Sequence, residues 1–385
     1  MNPLLRQFRD FFVSLKLTVV LLSLSILLIF FATLDQVHLG VWAVQEKYFR
    51  TFFVLTKIPG TQFPIPVFPG GYFIGGLLLI NLIAAHVYRF KLTWKKSGIF
   101  LTHLGLILLL VGELLTGLFS RESQMRLDEG QTKNYSESSL KNELAIIDTT
   151  DANFDEVVAI PEARLASAEP LQHPKLPFTV RTVGYLPNAV VMMRSQAPNL
   201  PASPATQGLG PQLAVQPLPV TYKPDETNSP AAVMELAGPE GSMGTWLVSA
   251  LLTGVQSFDY RGRTWQIALR AKRTYYPFTV SLLKFTHDKY PGTEIPKDFA
   301  SQVRVSSPET KESRDVRIFM NNPLRYAGMT FYQAGFDNSD RTTILQVVRN
   351  PGWLLPYVSC IMMAAGLIVQ FGIHLVGFAR KRASI

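Results

Sequence analysis

The 385-residue chain has one cysteine, Cys360. It can therefore form no intramolecular disulfide, CxxC redox pair or cysteine metal cluster. Cys360 lies in an apolar run and reads as a small packing residue. Also missing are a glycine-rich phosphate loop, a nucleophile elbow and a His-Glu-x-x-His zinc helix. Their absence removes the usual footholds of soluble enzyme chemistry. Tryptophan is sparse: Trp42, Trp94, Trp246, Trp265 and Trp353 are scattered, with no tryptophan-rich segment. The net charge of +9 is not spread over the chain. Three short segments hold ten basic residues (Arg6, Arg9, Lys16; Arg89, Lys91, Lys95, Lys96; Arg380, Lys381, Arg382) against one acid, Asp10. Elsewhere 27 Lys and Arg balance 27 Asp and Glu. The segments flank long apolar runs, so membrane orientation accounts for the excess and a nucleic-acid partner is rejected.

Four apolar runs, at 17–34, 72–88, 98–119 and 354–378, approach the roughly 20 residues that cross a bilayer as a helix. A helix satisfies its own backbone polar groups in lipid, so each run predicts a transmembrane α-helix. The first exceeds the 7–15 residues of a signal core and lacks a clear small-x-small cleavage site, so it reads as a retained anchor. The second and third form a hairpin around the basic turn 89–96. By the positive-inside rule that turn and both termini are cytoplasmic. Residues 35–71 and 120–353 are then extracytoplasmic. The expected fold class is four transmembrane α-helices plus a large extracytoplasmic, mainly-β domain. Its parts are a membrane portion 1–119, a β domain 120–353, and a last span with a basic tail, 354–385.

In the first external loop, Val41, Val44, Tyr48, Phe52 and Leu55 recur at helical spacing. They predict an amphipathic helix over 41–58, in the lipid interface or packed under the domain. In the large domain, 143–147, 265–273, 278–285, 303–306, 316–320 and 342–348 are rich in β-branched and aromatic residues. Trp265, Ile267, Leu269 and Ala271 alternate with Gln266, Ala268, Arg270 and Lys272, as in a half-buried strand. An antiparallel sandwich or barrel-like domain is expected. Residues 196–240 carry nine prolines with many Ala, Gly and Ser, a composition expected to form a poorly ordered insertion.

Ionisable residues within spans are the candidate functional groups. His86 ends the second run, His103 begins the third, and His374 lies near the end of the fourth. Counted along each helix, the three are expected at a similar shallow depth near the cytoplasmic face. Neutral imidazole is an axial ligand for haem iron, which makes His86, His103 and His374 candidate haem-binding residues. The same three could instead hydrogen-bond at the interface, as polar anchors do. His38 lies near the external face, while His173 and His287 read as ordinary residues of the soluble domain. Glu113 is a second intramembrane charge, with a cofactor path or a polar bundle interior as its two readings. Asp35 reads as a boundary residue.

The layout, three spans, a large β domain and one last span, resembles the ResB (also called CcsB) family of system II cytochrome c biogenesis proteins. So do two stretches. One runs from Tyr275-Tyr276-Pro277-Phe278 to Asp288-Lys289-Tyr290-Pro291-Gly292. The other runs from Phe319 to Gln333 and contains Asn321-Asn322-Pro323-Leu324-Arg325-Tyr326-Ala327-Gly328. The resemblance covers nearly the whole chain outside 196–240. It implies a bacterial inner-membrane subunit, with its large domain on the periplasmic side, that exports haem and presents it to apocytochrome c. It implies haem b as transient cargo, with His86 as the axial ligand to the iron. His103 and His374 are added only by their depth. The implied partners are a haem-handling subunit of the CcsA/ResC type with a tryptophan-rich motif, apocytochrome c, and a thiol-reducing thioredoxin-like protein. This chain lacks that tryptophan-rich motif, so it resembles the separate ResB subunit, a non-catalytic or co-catalytic part of a cytochrome c synthase. A structural turn at Asn322-Pro323 explains the same residues equally well. Two rivals are a b-type membrane cytochrome that transfers electrons and a non-catalytic envelope scaffold.

Overall fold

The structure, a computed structural model, describes residues 3–57, 63–167, 169–221, 227–252, 254–293, 296–337 and 341–383. The chain forms two compact units. One comprises the segment up to Arg121 together with the segment from Arg349 onward, and the other lies between Glu122 and Val348. The helices in chain order are α1 (Pro3–Phe12), α2 (Leu15–Val44), α3 (Gly71–Tyr88), α4 (Ser97–Phe119), a single turn α5 (Glu162–Leu165), and α6 (Leu355–Ala383). Four of these, α2, α3, α4 and α6, are long and apolar enough to cross a membrane, so this is a multi-span membrane protein with a large mainly-β unit.

α1 is a short amphipathic helix in the stretch noted above only for its basic residues. The chain breaks at Val13–Ser14, where extended Ser14 caps α2 and its side chain accepts the Lys16 N–H at 3.2 Å. A helix break frees backbone groups that must find other partners. Asn81 of α3, only 3% exposed, closes that gap. Its Nδ2 donates to the carbonyls of Phe12 at 2.7 Å and Ser14 at 3.2 Å, and its Oδ1 accepts from Thr18 at 2.6 Å. Arg89 adds a donation to the Val13 carbonyl at 3.1 Å.

α2 up to its kink at Gly40 is about 38 Å of helix, and so outruns the roughly 30 Å hydrocarbon core. Near its far end Asp35 accepts from Lys47 at 2.6 Å and from the Tyr48 hydroxyl at 2.7 Å. The amphipathic helix expected over 41–58 forms only in part. Gly40, at φ 74°, kinks α2, the helix resumes to Val44, and a π turn covers Gln45–Phe49. Phe53–Lys57 is then a strand, β1, paired antiparallel with β2 (Pro64–Pro69), and residue 58 lies outside the described residues. The helical spacing holds as far as Phe49, and the aromatic and β-branched residues beyond it suit a hairpin.

α4 and α6 pack through small residues. Gly98, Gly105 and Gly112, seven apart, are the buried residues of α4. A Cβ at Gly98 would stand 2.5 Å from the Gly366 carbonyl, and one at Gly105 would stand 2.8 Å from Met363. Without a hydrophobic drive between helices in lipid, such close approach supplies the association.

In the second unit the strands are β3 (Arg121–Asp128), β4 (Thr132–Asp148), β5 (Glu156–Pro161), β6 (Thr179–Leu186), β7 (Ala189–Met193), β8 (Leu213–Pro217), β9 (Ala231–Gly238), β10 (Gly241–Ser249), β11 (Gln256–Tyr260), β12 (Arg263–Lys289), β13 (Pro296–Ser307), β14 (Glu312–Phe319), β15 (Leu324–Tyr326), β16 (Met329–Phe336) and β17 (Thr342–Arg349). The largest sheet runs β14-β13-β12-β4-β3-β17-β16-β15, with β5 added on β4 and β11 on β12. A second sheet is β10-β9-β6, and β7 pairs β8. Each strand expected from the sequence overlaps one of these: 265–273 and 278–285 are both parts of β12, and 316–320 runs one residue past β14.

Among the described residues the unit has two large cores and a smaller cluster of Ala205, Leu213, Val233 and Leu247. Trp265, Ile267, Leu269, Leu144 and Ile146 of the large sheet pack on Val180, Met234, Leu236 and Trp246 of the small one, as in a sandwich. Met125, Phe278, Val280, Val303, Ile318, Phe331 and Leu345 form the other, enclosed by strands of the large sheet alone, which therefore curls. The 27-residue β12 serves both. Its buried residues are odd-numbered at 265–269 and even-numbered at 278–282, because register shifts at 271/273 and 275/280 change the face turned inward. Residues 196–240, expected to be poorly ordered, hold β8 and β9, with Met234 and Leu236 fully buried. All but one of the nine prolines, Pro217, fall outside these two strands, so composition averaged over the segment conceals two apolar runs within it.

A histidine pair as the candidate functional site

α3 and α4 are joined by the basic turn, so the last turn of one lies beside the first turns of the other. His86 is two residues from the end of α3, and His103 is six from the start of α4. Their side chains meet: His86 Nε2 and His103 Nδ1 are 3.1 Å apart, with rings edge to face at 85°. His86 Nδ1 lies 2.9 Å from the Leu82 carbonyl one turn back. That carbonyl can only accept, so His86 carries its proton on Nδ1. In the neutral pair Nε2 of His86 then accepts from Nδ1–H of His103, and Nε2 of His103 keeps a free lone pair. Phe90 stacks on the His86 ring, with centroids 5.2 Å apart and planes at 23°, and Phe100 packs beside both. Both histidines are half-buried.

His374 does not join them. It is exposed and bonds Gln370 at 2.9 Å, while Gln370 donates to the Lys95 carbonyl and accepts from Ile99 N–H. Gly105 of α4 stands against Ser359 and Met363, and Gly98 against Gly366 and Gln370. His103 is therefore level with the region around Met363–Gly366, and His374 lies eight or more residues further along α6, at least ~12 Å away along the axis. Equal depth fails for His374 because counting from each basic end ignores that α6 runs past the start of α4.

The other candidates fall elsewhere. His38 is exposed on α2. His173 is exposed and accepts from the Lys175 N–H at 3.3 Å. His287 is half-buried against Phe336 at 4.2 Å between ring centroids. Glu113 is exposed on α4 and faces no bundle interior. Among the described residues no group of three or more His, Cys, Asp or Glu could hold a metal ion. Sequence reasoning missed Asn81, Phe90, Phe100 and Gln370. For Asn81 a signal existed, since an amide in an apolar run is as unusual as an imidazole.

The two motif stretches build turns. Pro277, which has no N–H to give, falls where the β4–β12 ladder breaks between Tyr275 and Val280. Asn321 has φ 61°, and Ala327 and Gly328 have φ 48° and 75°. Both central residues of the β15–β16 hairpin are thus left-handed, as a tight two-residue turn requires. Gln333 is tied into a polar network. Its Oε1 accepts from Ser301 at 2.6 Å, and its Nε2 donates to Thr343 at 2.8 Å and to the Gly335 carbonyl at 3.1 Å.

Four apolar helices, one large β unit and paired imidazoles at one end of a helical hairpin define a multi-span membrane protein with a candidate ligand site in its helices. Residues 261–344, from just before β12 into β17, match the model of the ResB-like family. Protein NrfI of Wolinella succinogenes is 35% identical over 92 residues, which are 24% of this chain and 10% of that relative. The chain therefore spans a small fraction of the curated relative that it matches.

Proposed function

We propose that this chain is a subunit of a system II cytochrome c biogenesis complex, in which it receives haem within the membrane and helps present it to apocytochrome c. The ResB-like match supports the biogenesis role, and the His86–His103 pair is the observation that carries the haem role. The positive-inside rule, applied to the basic turns, supports a cytoplasmic end of the hairpin for that pair, with both termini on the same side. The β unit, between α4 and α6 in the chain, is then extracytoplasmic, in a bacterial inner membrane.

In this reading haem b is cargo, and its iron takes a neutral imidazole as an axial ligand. The Leu82 carbonyl holds the His86 ring in one tautomer and one orientation, a standard aid to a metal-ligating histidine. His86 Nε2 is the ligating atom, and His103 covers it with a proton until iron replaces that bond. Exchanging such a hydrogen bond costs only about 1 kcal/mol, little against a coordinate bond. With Nδ1 of His86 held by the Leu82 carbonyl, its Nε2 would hold the iron, and His103 serves as its hydrogen-bond partner. A haem-handling subunit of the CcsA/ResC type supplies the second ligand. Thioether formation needs reduced thiols on the apocytochrome, maintained by a thioredoxin-like protein, because Cys360 has no partner thiol in this chain.

The absorption spectrum of the purified chain, alone and co-expressed with the haem-handling subunit, tests this. Haem present in the complex and lost with His86→Ala is the expected result. Haem retained by the lone chain and lost on removal of either histidine indicates a b-type cytochrome instead. No haem under either condition leaves a scaffold.

A further inference from the structure

The break between α1 and α2 creates a basic hollow unrelated to the histidines. A cavity of about 540 Å³ is lined by Arg9, Ser14, Lys16, Tyr88 and Arg89, with Asp10 at its edge. Three elements contribute. Arg9 comes from the last turn of α1, Lys16 from the first turn of α2, and Arg89 from the end of α3. Arg9 is paired with the neighbouring carboxylate of Asp10 at 2.6 Å. Arg89 is anchored through one nitrogen to the Val13 carbonyl at 3.1 Å, which holds its guanidinium at the hollow. Among the described residues Lys16 has no carboxylate partner. The hollow thus has three cations against one anion.

Its surroundings say what the anion is. α1 has no buried residue, and Leu4, Leu5, Phe8 and Phe11 are 57–71% exposed. An amphipathic helix with an uncovered apolar face, leading directly into a membrane span, lies in the headgroup layer with that face toward the acyl chains. The hollow is then at phosphate level, with Tyr88, 65% exposed, beside it as an interfacial ring. Basic pockets between membrane helices at this level take lipid headgroups. We propose that Arg9, Lys16 and Arg89 form a binding site for the phosphodiester headgroup of an anionic glycerophospholipid, whose acyl chains lie along α1. The site is independent of the haem reading and requires only that α2 and α3 span the membrane.

The test uses the full chain in mild detergent, with phosphatidylglycerol or phosphatidylcholine added and bound lipid counted by native mass spectrometry. The wild type is expected to retain phosphatidylglycerol in preference to phosphatidylcholine. Lys16→Gln weakens that retention about five-fold, the effect of one basic residue near an anionic surface. Arg89→Lys keeps the charge but loses the fixed fork, and weakens it less. Arg382→Gln, which removes the same charge from the tail, leaves it unchanged. Equal retention of both lipids, or equal loss with Lys16→Gln and Arg382→Gln, overturns the site in favour of diffuse surface attraction. Inorganic phosphate that displaces phosphatidylglycerol at a comparable concentration also overturns it, since the hollow then takes free anions rather than a lipid.

Discussion

His86 and His103 share a single proton across 3.1 Å, and the Leu82 carbonyl decides which ring donates it. The two residues are therefore not equivalent, although each is one imidazole on one helix. In the co-expressed complex, His86→Ala is expected to abolish the haem absorption. His103→Ala removes only the covering proton and is expected to leave most of it. Equal loss from the two variants would remove the distinction drawn between ligand and partner.

The α4–α6 seam leaves no room at its glycines. Gly366→Val places atoms where Thr102 and the Gly98 carbonyl already stand 2.5 and 2.7 Å from the position of a Cβ, so it is expected to lower the thermal midpoint of the detergent-solubilised chain by several degrees. Gly372→Ala, with nothing within 4 Å, is expected to change it little. Equal shifts for both would show that the seam contributes no packing.

Asn81→Leu removes the donor for two backbone carbonyls and the acceptor for Thr18. Unsatisfied polar groups cost about 1–3 kcal/mol each in proteins, although interhelical bonds in membranes average nearer ~0.6. A destabilisation of about 1–2 kcal/mol is expected in reversible unfolding in mixed micelles. Asn81→Gln is not expected to restore it, because the longer amide misplaces both ends.

Asp148 of β4, 8% exposed, accepts from the hydroxyl and N–H of Thr150 and from Arg263 at 3.0 Å. The Thr150 hydroxyl, first among these, holds the carboxyl below its ordinary value of 3.8. A carboxylate with a lowered native pKa stabilises the fold above its unfolded value, and that contribution disappears as pH falls through the native value. Unfolding of the β unit, followed by tryptophan fluorescence, should therefore show a loss of stability below about pH 4 that Asp148→Asn reduces. An unchanged acid profile in the variant would show that other carboxylates set it.

Much of this was legible in the sequence. Run length identifies all four spans, and the alternation from Trp265 to Ala271 identifies a strand whose residues 265, 267 and 269 are buried. Where the helix expected over 41–58 stops was not legible, because the residues beyond Phe49 keep helical spacing yet suit a strand equally, and pairing with β2 decides it. Order within 196–240 was hidden for a different reason. Proline excess describes its connections, while Met234 and Leu236 are buried by partners on β6 and β10. At the site, periodicity could place His86 and His103 near one face. It could not show that His374 lies further out, because that depends on the offset of α6 against α4. Phe90 and Phe100 were illegible as site residues, since aromatic side chains in and beside a span ordinarily meet lipid.

The two large cores joined by β12 have a mechanical consequence. Residues 265, 267 and 269 of that strand are buried in the sandwich and residues 278, 280 and 282 in the curled half, so the backbone between them belongs to neither core alone. The strand acts as a shared beam: a change in its register between Ala271 and Val280 would rotate the inward face of one half against the other, and the two cores cannot be repacked independently across it.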